Sequence, residues 1–92
     1  MHEALSQRIV VRAHVTGLGR DEIGPYLTHL LRLAGTELQL FEPAAQEALF
    51  QASSGLPRKL NLLCHHALMA AALARAKTVM PEHVQAALAE VT

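Results

Sequence analysis

The sequence predicts an all-α fold, a small bundle of about four amphipathic helices with short connections. Apolar residues recur at helical spacing in four successive segments of the 92-residue chain. The composition is 51% hydrophobic but only 3% aromatic, and its many Ala and Leu residues favour helices over a sheet. Proline and glycine residues mark the boundaries of these segments, as they do at the starts and ends of helices.

The first predicted helix begins at Arg20-Asp21-Glu22, where two acids suit the positive end of the helix dipole, and it ends at Gly35. Its apolar positions are Ile23, Tyr26, Leu27, Leu30, Leu31 and Ala34. The second helix opens at Glu42-Pro43 and stops at Gly55. Its apolar face comprises Phe41, Ala45, Ala48, Leu49 and Ala52.

The third predicted helix is the longest and runs from Pro57 to about Lys77, with Arg75 and Lys77 near its negative end. Its apolar stripe comprises Leu60, Leu63, Cys64, Ala67, Leu68 and Ala71. Residues 78–80 form an extended link, and the last helix starts at Pro81. That helix carries Val84, Ala87, Leu88 and Val91 on its apolar face.

Residues 1–16 have a mixed pattern. Val11, Ala13 and Val15 alternate with Arg12 and His14 as in a strand. A single strand cannot pair the backbone hydrogen-bonding groups along its own edges. The segment therefore either folds as helix or needs a partner from outside the chain. We expect it to be frayed or paired with a second copy.

The charge balance gives no global positive field that would indicate binding to nucleic acid, although it does not exclude such binding. Lys plus Arg number 8 and Asp plus Glu number 8, so the formal net charge is zero. A single cysteine rules out an internal disulfide framework and suits a reducing compartment. No apolar run approaches the length of a membrane span and no signal peptide is evident, so we expect a cytoplasmic protein without membrane insertion.

The histidines and the cysteine do not form a recognisable reactive site. None of the six histidines has a partner at i, i+4, and no cysteine pair supports them, so no metal site is expected. Cys64 lies on an apolar stripe, which favours a buried and inert thiol. Gly17-x-Gly19 lacks the third glycine of a dinucleotide loop, and no Walker A sequence is present. We therefore expect that the chain in isolation is not an enzyme.

The stretch from Ser53 to Asn61 carries the clearest functional signal. Gly55 can adopt the positive φ that ends a helix, and Pro57 suits a first helical position. Arg58 then lies in the first turn, where a cation is unfavourable unless an anion is near. A phosphate would fit both the free N–H groups and the guanidinium fork. The alternative is that Arg58 is solvated or paired with Glu42 or Glu47.

These residues resemble a known signature. The run from Ser54 to Asn61, preceded by Leu40-Phe41 and the helix containing Ala44–Leu49, is similar to the G-x-P-R-x-x-N signature of ExeA-type AAA+ ATPases. That group includes secretion-associated ATPases and target-selection ATPases of bacterial transposons. Residues 18–35 and 80–91 resemble the first and closing helices of the lid. The resemblance divides the chain into a remnant of the ATPase core at 1–16 and a helical lid domain at 17–92.

The resemblance implies roles for individual residues. Arg58 matches the sensor 2 arginine, which reaches from the lid towards the terminal phosphates of the nucleotide; Gly55 and Pro57 share this nucleotide-binding turn. Arg8, in Ser6-Gln7-Arg8-Ile9, matches a catalytic arginine finger that acts on the neighbouring subunit. We expect Lys59 to be solvated and Asn61 to stabilise the turn or the helix start.

The function implied is that of a regulatory lid that senses nucleotide and supports assembly of an oligomeric ATPase. ATP and Mg would bind the full-length parent, not the isolated chain, whose partners would be its own core and neighbouring subunits. We expect a role in bacterial DNA transposition, with transposase and DNA as further partners, because the chain ends at Thr92, just after the last lid helix. The alternatives are the lid of a general-secretion-pathway ATPase, or a free-standing helical module that binds protein or DNA.

Overall fold

The computed structural model describes residues 17–36 and 38–91, and it contains four α-helices in that part of the chain. A single turn of 3-10 helix, Arg20–Glu22, leads into the first helix. The α-helices are α1 (Ile23–Leu33), α2 (Pro43–Ser53), α3 (Pro57–Leu73) and α4 (Pro81–Val91). The predicted all-α bundle is therefore confirmed. The predictions for residues 1–16, including the strand and Arg8, lie outside the described residues.

The helix starts follow the prolines. Pro43, Pro57 and Pro81 are each the first residue of a helix, the position where a fixed φ and an absent N–H cost nothing. Helix α1 ends as predicted at Gly35, whose φ is +96°. There, Gly35 donates to the carbonyl of Arg32 and Thr36 donates to that of Leu31, each at 3.0 Å, which is a Schellman closure.

The end of α3 differs from the prediction. The helix stops at Leu73 instead of continuing to about Lys77, because Arg75 adopts a left-handed φ of +57°. Arg75 donates to the carbonyl of Ala72 at 3.0 Å, and Ala76 donates to that of Ala71 at 2.9 Å. This is a Schellman closure without glycine. The Ala-rich sequence contains no stop signal, so the end of the helix was not predictable from propensity.

A backbone contact between two connectors explains why α3 ends there. Val79 donates to the carbonyl of Leu40 at 2.6 Å, and Glu42 donates to that of Val79 at 3.1 Å, which forms a parallel bridge between Phe41 and Val79. Both bridged residues are buried. Residues 76–80 must leave the helix to make this contact, so tertiary packing overrides local helix propensity.

The core lies between α2, α3 and α4, with α1 covering it from the side of α2. Helix α4 packs against both α2 and α3, and α1 packs mainly on α2 and the 3-10 turn. The residues with zero exposure are Leu27, Ala45, Leu49, Ser53, Leu60, Leu63, Ala67 and Val84. Most are positions that the helical periodicity predicted. Cys64 is also buried, at 5% exposure, as expected from its place on the stripe.

The turn between α2 and α3 is built from two consecutive left-handed residues, Ser54 at φ +56° and Gly55 at φ +77°. The carbonyl of Gly55 accepts a hydrogen bond from the N–H of Leu18 at 2.8 Å. A Cβ on Gly55 would collide with the backbone carbonyl oxygen of Leu18. The hydroxyl of buried Ser53 accepts from the N–H of Gly55 at 3.1 Å. Glycine is therefore required here by both conformation and space.

Replacing Gly55 with alanine is expected to lower the free energy of unfolding by about 3 kcal/mol. Alanine in the left-handed region costs about 1–2 kcal/mol, and loss of the hydrogen bond with Leu18 adds about 1 kcal/mol. Urea unfolding followed by circular dichroism measures the change. The control is Gly35→Ala, where φ is also positive but nothing lies within 4 Å of the added Cβ. Equal losses in the two variants would contradict the collision with Leu18.

The start of α4 is held by a histidine. The backbone N–H of Met80, just before the helix, donates to Nδ1 of His83 at 2.9 Å. The imidazole is buried at 6% exposure. This is the bond that a Glu or Gln makes at the same position of a capping box. His83 thus has a structural role, and Nδ1 must be the unprotonated ring nitrogen.

Substituting His83 by phenylalanine is expected to lower the free energy of unfolding by about 1 kcal/mol or more, because the acceptor for Met80 is lost and the somewhat larger aromatic ring replaces a buried imidazole. His83→Gln is the control, since glutamine provides an acceptor at this position. Urea unfolding of both variants tests the assignment. A phenylalanine variant as stable as the glutamine variant would show that the hydrogen bond contributes nothing.

Candidate functional site

The candidate site is the first turn of α3. Leu56 precedes the helix with extended dihedrals (φ −76°, ψ 120°), and no side chain caps the helix start. Pro57 is buried, whereas Arg58 and Lys59 are exposed. The first turn therefore combines uncapped backbone N–H groups with two cationic side chains, both at the positive end of a 17-residue helix.

The predicted alternative of an ion pair between Arg58 and Glu47 is not what the structure contains. Glu47 instead accepts two hydrogen bonds from Arg20, at Nε and Nη2, each 2.9 Å long. It also accepts one from Gln51 at 2.8 Å. The bonds from Gln51 and then Arg20 lower the pKa of the Glu47 carboxyl. The Arg20 guanidinium lies over the ring of Phe50, 5.1 Å from its centroid.

Arg58 remains without a carboxylate partner among residues 17–36 and 38–91. Glu42, the other acid considered, forms no ion pair with it there. A guanidinium in the first turn with no counter-charge is electrostatically unfavourable for the helix. No carboxylate of the described residues therefore competes with an external anion for Arg58.

A shallow groove of about 400 Å³ adjoins Arg58. Its lining residues are Leu56, Arg58, Lys59, Leu62 and Val91. Leu56 and Leu62 remain 55% and 47% exposed, so apolar surface lies directly beside the two cations. This combination suits contact with another protein surface that carries both apolar and acidic groups.

The side chain of Asn61 was expected to stabilise the turn or the helix start, but its hydrogen bond is made to another helix. Its Oδ1 accepts a hydrogen bond from the hydroxyl of Tyr26 in α1 at 2.9 Å. Tyr26 is only 3% exposed, and burial raises the pKa of its phenol although the bond to Asn61 lowers it. This contact ties α1 to the first turns of α3, and no sequence pattern pointed to it.

The other residues considered for chemistry form no reactive cluster in the described part of the chain. Burial raises the pKa of the Cys64 thiol to about 12, so very little thiolate is present at neutral pH. His65 and His66 touch edge to face with ring centroids 5.6 Å apart. Within the same residues, no three His, Cys, Asp or Glu side chains are grouped so as to hold a metal.

The structure thus brings together three of the four predicted site residues. Gly55 shapes the turn, Pro57 starts the helix and Arg58 extends from it. Arg8 lies outside the described residues, so its suggested role stays a prediction. None of the described helices has both the length and the apolar character needed to cross a membrane.

Comparison with known proteins gives one informative similarity. Over 67 residues, the chain is 39% identical to the general secretion pathway protein A of Aeromonas hydrophila. The match covers 73% of this chain and 12% of that protein, so the chain spans only a small part of its relative. No family model matches the chain, and no solved structure matches it. The similarity supports a relationship to the ExeA-type AAA+ ATPases that the sequence resembles.

Proposed function

We propose that this chain is the helical lid of a secretion-type AAA+ ATPase related to general secretion pathway protein A, and that Arg58 senses its nucleotide. The observation that carries the proposal is an exposed arginine, with no carboxylate partner among the described residues, in the first turn of a helix that no side chain caps. The similarity to the Aeromonas protein supports the secretion type over the transposition role favoured by the sequence analysis. Transposition and DNA binding rest on the sequence resemblance only.

The physical basis is the match between the helix start and phosphate oxygens. Backbone N–H groups and the positive end of the dipole favour an anion at this place. The planar guanidinium of Arg58 adds donors that can bind two phosphate oxygens at once. Contact with a terminal phosphate would offset the unfavourable interaction of the Arg58 charge with the helix dipole. When that phosphate leaves after hydrolysis, the unfavourable interaction would return.

Most of the nucleotide site would belong to the ATPase core, because these 92 residues contain no Walker A sequence. Mg-ATP would therefore bind chiefly to the core, and the lid would add Arg58 from its own side. Since the described helices share one apolar core, a displacement of the start of α3 would move the other described helices with it. The partners in this proposal are the chain's own ATPase core and the neighbouring subunits.

Replacing Arg58 by alanine in the full-length protein is expected to weaken ATP binding by about tenfold to a hundredfold, with a smaller effect on ADP. A hydrogen bond to a charged group contributes about 1.5–3 kcal/mol, and about 1.4 kcal/mol corresponds to a factor of ten. Calorimetric titration with ATP and ADP measures both affinities, and ATP turnover is assayed in parallel. Arg58→Lys should fall between wild type and alanine, because it keeps the charge and loses the fork.

The matched control is Arg32→Ala, which removes an exposed arginine from α1. Urea unfolding should show that Arg58→Ala is as stable as wild type or slightly more so, since it removes a cation from the positive end of α3. If the folded Arg58→Ala protein binds and hydrolyses ATP like the Arg32→Ala control, the sensor assignment is wrong.

A second candidate function is a helical interaction module without a nucleotide role. The groove beside Leu56, Leu62 and Val91 favours it, because its apolar walls are exposed next to two cations. Two results together would support an interaction module over a nucleotide-sensing lid: Arg58→Ala binds nucleotide like wild type, and Leu62→Ser no longer binds a protein partner.

A further inference from the structure

We propose that Tyr26 and Asn61 are positioning residues for Arg58, an inference that rests on the proposed nucleotide-sensing function. Their hydrogen bond fixes the first turns of α3 relative to α1 and thereby the direction from which Arg58 approaches a phosphate. Neither residue has to touch the nucleotide. What they control is the orientation of the helix start.

Asn61 lies near Arg58 on the surface of α3. It lies three residues after Arg58, and residues at i and i+3 are neighbours on the surface of a helix. The Asn61 Oδ1 accepts from the Tyr26 hydroxyl at 2.9 Å, while Tyr26 itself is almost fully buried. A rotation of α3 that redirected Arg58 would also break this bond.

The hydroxyl of Tyr26 lies in a part-buried position and needs an acceptor. A polar group that loses its partner in the interior is destabilised by more than an average hydrogen bond contributes. Asn61 provides that acceptor, with good distance, from the neighbouring helix. The bond therefore selects one rotation of α3, whereas the apolar contacts around it are not directional.

A second hydrogen bond holds the chain on the other side of Arg58. Gly55, three residues before it, accepts a backbone hydrogen bond from Leu18 at 2.8 Å. Leu18 lies two residues before the 3-10 turn and Tyr26 lies in the first turn of α1, so both belong to the short segment 18–26. Arg58 is thus bracketed by two hydrogen bonds to one segment. Because α1 packs mainly on α2, these bonds provide directed contacts between that segment and the start of α3.

The test is Tyr26→Phe in the full-length protein, alone and combined with Arg58→Ala. Phenylalanine keeps the ring and removes only the hydroxyl. We expect the ratio of ATP to ADP affinity to fall about fivefold, the effect typical of one net hydrogen bond. In the Arg58→Ala background, the same change should leave the ratio unaltered. Calorimetric titration with ATP and ADP gives the ratio for each protein.

Asn61→Ala should reproduce the Tyr26→Phe effect, and the double variant should be no worse than either single variant, because both remove the same bond. The matched control is Thr28→Ala. It also removes a hydroxyl from α1, but that hydroxyl bonds within the helix to the carbonyl of Gly24 at 3.1 Å. It should leave the affinity ratio unchanged.

A merely structural role would reduce stability in both backgrounds without this dependence on Arg58. Two outcomes overturn the positioning role only. In the first, Tyr26→Phe lowers the affinity ratio equally with and without Arg58. In the second, Arg58→Ala has its effect, but the folded Tyr26→Phe and Asn61→Ala proteins keep the wild-type ratio. If Arg58→Ala itself leaves the ratio unchanged, the proposed function and this inference both fail.

Discussion

The close approach of Gly55 to Leu18 is the constraint on which the rest of the structure depends. Two left-handed residues turn the chain sharply after α2, and the absence of a side chain lets the Leu18 backbone lie directly against the turn. The resulting hydrogen bond holds the start of α3 in place against Leu18. Since α3 packs against both α2 and α4, its starting point determines how the whole bundle closes.

Arg20 and Arg58 show that nearby carboxylates determine whether an arginine is paired within the structure. Arg20 forms a double hydrogen bond with Glu47, and its guanidinium lies over the ring of Phe50, so its contacts are made within the helical bundle. This pairing also occupies the acid that the sequence offered to Arg58. Arg58 is left with the positive end of α3 and no counter-charge from the described residues, which is a poor arrangement for stability and a good one for binding an anion.

Much of the fold was predictable because prolines and helical periodicity are local signals. Pro43, Pro57 and Pro81 mark three helix starts, and the periodic apolar positions form the core. The end of α3 at Leu73 was not predictable, since it depends on the remote bridge between Phe41 and Val79. For the site, the turn and the exposure of Arg58 followed from residue types, whereas the bond between Tyr26 and Asn61 joins residues 35 positions apart and has no signature in sequence.

Stability and orientation have different sources in this helical bundle. Apolar burial provides most of the stability, but it is non-directional and tolerates small rotations of one helix against another. Hydrogen bonds have preferred distances and angles, so the bonds of Gly55 with Leu18 and of Asn61 with Tyr26 select one arrangement among those that the core would accept. A phosphate contact made by a planar guanidinium is equally directional. The directed bonds therefore lie on either side of Arg58, the residue whose proposed function depends most on orientation.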